Sequence, residues 1–528
     1  MFVLRINTQR ILTTCSGLLV YALAQLRFVR FTQYAHLPGP PPSLLWGHLK
    51  LILQLIRPDP SKHFLFFDLR PAYFPVAVIY SHNLAEQISR ATPQLKYSVP
   101  KAPLQDLIGP VIGRDSFLVS NGEQWRETRK VFNMAFAPSH LATFIPPILD
   151  KIQVFLRALD VHARTGDEFN LGERCTLLTF DVIGRVILNI DLNSQGDESE
   201  QHGVVRCFIE LLANLPFWPQ IQCLLSPRQY RQRMKITKTI ETLLQSIIQD
   251  KFDKLHSDKP EISDRSVLFL ALENIDSLTP QTVQTTVDSI RTFLFAGYDT
   301  TSVLLQRAIY ELSRTPRALA CLRGELDRVL GPNADPGATA DAIISSEAKL
   351  SQLVYLSAVI KETLRLHPPA GTSRLVAPGT DFKLQTSQGP LCVDGVILYL
   401  NHFSIQRDPA VYGDSAEAWI PERWLQCEGE GFPASAWRPF ERGPRSCIGQ
   451  ELAMLEARLV LAMAVRRYDF VKVGRGAKIP QSGEDGRAMA DDYGQYLSTE
   501  PLYDTFNMSA KPVDGTRMRV KFQQASEI

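Results

Sequence analysis

The residues Phe440-Glu441-Arg442-Gly443-Pro444-Arg445-Ser446-Cys447-Ile448-Gly449 put one cysteine in a glycine-punctuated turn, just before the helical pattern Gln450-Glu451-Leu452-Ala453-Met454-Leu455-Glu456. A sulfur placed there faces backbone N–H groups and the positive end of a helix dipole, and both favour thiolate over thiol. The thiolate is the form that binds metal. Gly443 permits the tight turn, and Gly449 lets the backbone pass close to a flat ligand. Phe440 can shield the sulfur from water, and Arg445 can reach an anionic group beside it. A bare cysteine before a helix would read as a buried, inert thiol. The spacing F-x-x-G-x-R-x-C-x-G points instead to a ligand loop.

Three more constellations could do chemistry. Ala296-Gly297-Tyr298-Asp299-Thr300-Thr301 lies in a long helical stretch that Ser277 or Thr279 can cap, with Pro280 early in it and Thr315-Pro316 at its far end. Small Ala296 and Gly297 leave room beside the helix for a planar group, and Asp299 and Thr300 set an acid next to a hydroxyl. The same residues would also make a plain packing notch with a threonine bonded back to the preceding turn. Glu362 and Arg365, in the stretch Leu353–Leu366, share one helix face at i,i+3. His367-Pro368-Pro369 ends that helix, Arg374 follows, and Pro421-Glu422-Arg423-Trp424 brings in a further arginine. Trp125 and Arg129, four apart, can both donate to one anion, through indole N–H and guanidinium, with Phe136 eleven residues on from Trp125. Taken singly, Glu362–Arg365 reads as a surface ion pair and Trp125–Arg129 as an aromatic anchor beside a solvated arginine.

In this order the motifs, from Trp125 to Gly449, resemble those of the cytochrome P-450 superfamily, the haem-thiolate monooxygenases. The resemblance implies a mainly α fold with a smaller β-rich lobe near the N-terminus, and haem b held between the long central helix and the helix after the cysteine loop. It implies Cys447 as the axial metal ligand, a thiolate that pushes electron density onto the iron and favours O–O cleavage. It gives Trp125, Arg129, Arg374 and Arg445 to the haem propionates, and sets Phe440, Gly443, Ala296 and Gly297 around the macrocycle. It makes Thr300 and Asp299 the catalytic pair that delivers protons for O–O cleavage. Glu362, Arg365 and Arg423 are expected to form a buried network. Such a network is a poor source of net stability, so its role would be to fix the cysteine loop. The substrate wall is expected from Lys101–Phe117 (Leu104, Leu107, Ile108, Val111, Ile112), Phe293, Ala296 and Ala370–Thr372.

The chain has 528 residues, 45% hydrophobic and 21% charged, the balance of an ordinary globular protein. Because the motifs converge on one cofactor, a single unit over residues 37–528 is expected rather than several domains. A net charge of +2 gives no electrostatic case for nucleic-acid binding. Eight scattered cysteines without C-x-x-C indicate neither a disulfide framework nor a zinc site, and suit a reducing compartment. No nicotinamide or flavin fingerprint is present. The resemblance therefore implies electrons from NADPH through a separate flavoprotein reductase, docked on a basic face of Arg126, Lys130, Arg438 and Arg442, with the protein itself a monomer.

Ile11–Ala24 is apolar and uncharged, shorter than the ~20 residues a spanning helix usually needs, but extended by Leu26 and Phe28. Flanking arginines can snorkel, and Leu37-Pro38-Gly39-Pro40-Pro41-Pro42 makes a stiff connector. Residues 1–36 are expected to anchor the protein in the endoplasmic reticulum membrane with the catalytic part facing the cytosol. Arg5 and Arg10 balance Arg27 and Arg30, so charge does not orient the segment. Leu215-Pro216-Phe217-Trp218-Pro219 could dip into the same bilayer. Gly474–Lys511 is polar and reads as a long hairpin or loop whose tip could touch substrate. This tail and the sequence around Cys447 resemble filamentous-fungal members that serve secondary-metabolite pathways, which implies a lipophilic polyketide or terpenoid substrate. A haem-thiolate isomerase or dehydratase that does not need O2, and a non-catalytic haem sensor, stay open as alternatives. The presence of Asp299 and Thr300 favours oxygen chemistry over the first.

Overall fold

The longest helix, Pro280–Arg314, begins where Thr279 caps it, the Thr279 side chain accepting from the Thr282 N–H. Pro280 sits in the first turn, where its missing N–H has no intrahelical partner to lose. The helix is buried around most of its circumference, and the charges it carries are paired accordingly. Arg291 meets Glu241 at 2.9 Å and the Val111 carbonyl at 3.1 Å, and Glu311 meets His367 at 2.9 Å. This is the central element of a computed structural model that describes residues 64–523 apart from 71–73, 104, 216–225, 258–263, 274, 426–430 and 480–488, plus five isolated positions before residue 33.

Helix Leu171–Leu188 lies against the central helix. Phe180 stacks on Tyr298 with ring centroids 3.9 Å apart, and the Thr179 hydroxyl donates to the Tyr298 carbonyl at 2.9 Å. Helices Val354–Leu366 and Gln450–Arg467 pack on it from other sides. Together these helices enclose the main apolar core.

A second, smaller core lies under a four-stranded sheet. Its order is Phe64–Phe67, Val76–Ile79, Ile397–Leu400, Thr372–Leu375. Val76–Ile79 and Ile397–Leu400 run parallel, and the outer pairs are antiparallel. The fold is thus mainly α with a smaller β-rich lobe. The lobe is less N-terminal than expected, because half its strands come from the second half of the chain. Parallel strands require a long crossover, and here most of the helical body intervenes. A three-stranded sheet joins Phe169–Asn170, Arg517–Phe522 and Tyr468–Lys472, and the C-terminal hairpin pairs Asp504–Asn507 with Ser509–Pro512. Residues 1–23, the proline connector and Pro216–Pro219 lie outside the described residues. Among the described residues no helix is long and apolar enough to cross a membrane.

Candidate active site

A cavity of about 350 Å³ separates the central helix from the cysteine loop. Phe293, Ala296, Asp299 and Thr300 form one wall; Phe440, Cys447, Gly449 and Ala453 form the other. The Cys447 sulfur is reachable from this cavity yet lies deep in the protein, surrounded on its other sides. Burial raises the thiol, while the backbone N–H groups of Gly449 and Gln450 and the charges of Arg129 and Lys101 pull the other way. Burial wins. The helix start alone does not make a thiolate here; the charge of a bound metal ion would deprotonate the sulfur outright.

The loop that carries the sulfur is shaped by Gly443, whose φ is +73° and whose missing Cβ would come to 2.1 Å from the Ser89 carbonyl oxygen. Gly449 is different. Its φ lies in the ordinary range, and a Cβ there would only graze the Cys447 sulfur at 3.9 Å, so it needs no special backbone. Gly297 is a packing notch: a Cβ would meet Ile183 Cδ1 at 2.5 Å. Ala296 and Gly297 both line the cavity, and the side on which a Gly297 side chain would stand is filled by Ile183 of the neighbouring helix.

At one end of the cavity, cations gather. Lys101, Trp125, Arg129 and Arg445 line it. Arg129 donates to the Ser446 carbonyl at 2.6 Å, and Arg445 stacks over Trp125 at 4.5 Å while donating to the carbonyls of Ser120 and Leu118. Arg374 is fully buried. It donates to the Val99 carbonyl at 3.3 Å, but its Nε and Nη2 have no hydrogen-bond partner among the described residues. The same holds for Nε and Nη1 of buried Arg438 and for Nε2 of His402. Burial pushes Lys101 well down, and Arg374 adds repulsion; Arg445 is lowered for the same two reasons, with Arg129 contributing. One carboxylate, Glu441, answers them. Burial opposes its charge, but His402, Arg438 and Arg374 hold it well below the usual carboxylate range. One acid among so many buried cations leaves positive charge that an anionic ligand would satisfy. A flat metal complex with carboxylate arms fits that donor set: the cations would take the carboxylates, and Cys447 would supply a sulfur ligand to the metal.

The expected network is assembled in full. Glu362 is sealed from solvent and accepts from Arg365 Nε at 2.8 Å, Arg365 Nη2 at 2.9 Å and Arg423 Nε at 2.9 Å. Thr300 donates to the Ala296 carbonyl at 2.9 Å, and Phe136 packs on Phe293 with centroids 5.3 Å apart.

Three expectations need correction. Arg438 is not on a basic docking face; it is buried, donating to Glu441 at 2.5 Å and to Ser89 at 2.6 Å, because the loop turns it inward to meet that acid. Arg442 is tied to Glu86 at 2.9 Å and Arg126 to Glu123 at 2.5 Å, which leaves exposed Lys130 as the one cation of that expected face without an ion pair among the described residues. Val111 and Ile112 do not line the cavity. They are buried where Gln105–Ile112 packs on the central helix, and Thr292 donates to the Ile112 carbonyl at 3.1 Å. Side chains of Leu104 and Leu107 lie outside the described residues. Sequence reasoning missed His402, Glu441 as counter-ion and Lys101 as a cavity cation. A lone lysine after Pro100 or a histidine opening a short helix carries no local signal of a shared site.

A cysteine at the floor, an acid–alcohol helix above it and buried cations at one end define a haem-thiolate enzyme. The chain matches cytochrome P450 over residues 37–492. It is 29% identical to cytochrome P450 monooxygenase acrF of Aspergillus aculeatus over 86% of this chain and 93% of that protein. It is also 29% identical to cytochrome P450 monooxygenase polC of Polytolypa hystricis, covering 84% and 83%. With a protein named as a self-sufficient cytochrome P450 monooxygenase of Phanerodontia chrysosporium it shares 26% identity over 82% of this chain and 40% of that one. The chain belongs to the cytochrome P450 family, whose members carry a thiolate-ligated haem and act as monooxygenases.

Proposed function

We propose that this protein inserts one oxygen atom from O2 into a lipophilic substrate, a polyketide or terpenoid intermediate of fungal secondary metabolism. In this reading a separate NADPH-dependent reductase supplies electrons, and residues 1–36 anchor the protein at the endoplasmic reticulum. The observation that carries the reading is that Cys447 and the Asp299–Thr300 pair face one largely apolar cavity from opposite walls. Cys447 would hold the haem iron, and Arg374, Arg129, Arg445, Trp125 and Lys101 would take its propionates. The bound haem supplies activation of O2 and transfer of oxygen to carbon. Thr300 spends its hydroxyl hydrogen on the Ala296 carbonyl, leaving Oγ1 lone pairs free to receive a proton from the Asp299 side and pass one into the cavity. Phe117, Phe293 and Ala370 orient an apolar skeleton and exclude water, and few groups there could hold a charged one. The fungal proteins named as monooxygenases among the relatives support the oxygen-inserting reading.

The test is turnover by the haem-loaded protein with a reductase, NADPH and isotope-labelled O2. Candidate polyketides and terpenoids should shift the ferric haem toward high spin and yield product carrying one labelled oxygen. If only small, highly charged compounds cause the shift, the substrate class is wrong. If product forms without O2, the isomerase reading replaces this one. Deleting residues 1–36 should release the protein from microsomes; a truncated form that resists carbonate extraction would refute the anchor.

A further inference from the structure

Asp299 sits in the cavity wall with only 2% of its side chain exposed, and its ion-pair partner is Lys511. Lys511 stands on the second strand of the C-terminal hairpin and is 29% exposed, so its stem runs from solvent to the buried carboxylate. The hairpin is anchored independently of this contact. Asp504 pairs with Arg307, and the Ala510 N–H donates to the Pro369 carbonyl at 2.8 Å. Met508 at its turn and Ser509, which opens its second strand, line the cavity. A proton bound for Asp299 therefore has a proton-bearing side chain, partly open to solvent, at the carboxylate, supplied by a part of the chain far in sequence from the central helix.

We propose that protons enter the active site at the C-terminal hairpin, through Lys511 to Asp299. The proposal rests on the proton-delivery role given above to Asp299 and Thr300. Lys511 Nζ gives one of its protons to the Asp299 carboxylate, the resulting acid passes a proton to Thr300 Oγ1 as Thr300 releases its own into the cavity, and the Lys511 amine takes a proton from water. One proton enters from solvent for each that leaves into the cavity, and no electron moves among these residues. Lys511 does not touch the reacting atoms; it acts through Asp299. Lysine suits this task and arginine does not, because a guanidinium keeps its protons.

The experiment compares Lys511→Arg, Lys511→Met, Asp299→Asn and Asp504→Asn in the full-length, haem-loaded protein. With reductase and NADPH, Lys511→Arg and Lys511→Met should both lower product per NADPH by about tenfold, a modest part of the ~10²–10⁴ that positioned proton transfer contributes. The lost electrons should appear as hydrogen peroxide, and the solvent deuterium effect on product formation should rise in both. Asp504→Asn loosens the same hairpin without touching Asp299 and should keep coupling within twofold. Without reductase, amide hydrogen exchange across residues 504–512 should be unchanged in Lys511→Arg, and the unfolding shifts of Lys511→Met and Asp299→Asn should not add. Full coupling in Lys511→Arg, or equal loss in Asp504→Asn, would overturn the relay. Additive unfolding shifts would remove the pair itself. If Asp299→Asn keeps full coupling, the underlying proton-delivery reading falls as well; if it loses coupling while Lys511→Met does not, only the hairpin entry is wrong.

Discussion

Replacing Glu362 with glutamine removes a negative charge from a site sealed from solvent. Five donors converge on that carboxylate: Arg365 Nε and Trp424 Nε1 on Oε2 at 2.8 and 2.9 Å, and Arg365 Nη2, Arg423 Nε and the Ile420 N–H on Oε1, each at 2.9 Å. Glutamine keeps one oxygen. Its amide nitrogen would face Arg365 Nε and Trp424 Nε1, both donors, and orphan them. Two orphaned buried donors cost about 2–6 kcal/mol. Breaking a buried ion pair by removing one partner costs about 3–5 kcal/mol. The two routes overlap near 3–5 kcal/mol, a large share of a typical ~5–15 kcal/mol stability. The damage should reach the cysteine loop. Trp437 Nε1 donates to the Lys361 carbonyl at 3.1 Å, and Gln406 bridges the carbonyls of Leu364 and Arg365 to the Arg438 N–H. The assay is urea unfolding of haem-loaded protein, with the fraction showing the red-shifted Soret band of the reduced carbon monoxide complex. A Glu362→Gln protein within about 1 kcal/mol of the parent, with that band intact, would refute both the energetics and the loop-fixing role.

Cys447→Ser should bind haem poorly and lose the red-shifted band entirely; a retained band would mean another residue ligates the iron. Gly443→Ala should be costly, since it adds the ~1–2 kcal/mol of a left-handed non-glycine residue to a clash with the Ser89 carbonyl. Gly449→Ala has no backbone strain, so melting curves that rank the two variants the other way would contradict the loop geometry. Burial raises the Glu311 carboxyl, but Arg314, His367 and Arg307 more than offset it and bring it to about 2, from 4.5. A carboxyl lowered in the folded state stabilises above its unfolded value, here by roughly 3 kcal/mol, and that stability is lost as pH falls from 4.5 toward 2. Glu311→Gln should flatten acid unfolding in that window, and an unchanged acid profile would show that the buried pair contributes nothing.

The sequence by itself determined the chemistry-bearing loop, the central helix with a cap at Ser277 or Thr279, and the family, because each is written in short-range spacing. A turn that needs Gly443, a helix start after Cys447 and a proline at a first turn are local events with local signals. The same holds for the Glu362–Arg365 pair, one helical turn apart. Tertiary structure decided what those residues face. Arg438 looked like a surface cation and turned inward to Glu441. Val111 and Ile112 looked like a substrate wall and became core. In each case an apolar or charged residue has several partners of suitable chemistry, and only the three-dimensional path of the chain selects one. Lys511 and Asp299 are the extreme case. Nothing in the sequence near either residue names the other, and their pairing exists because the C-terminal hairpin folds back over the central helix.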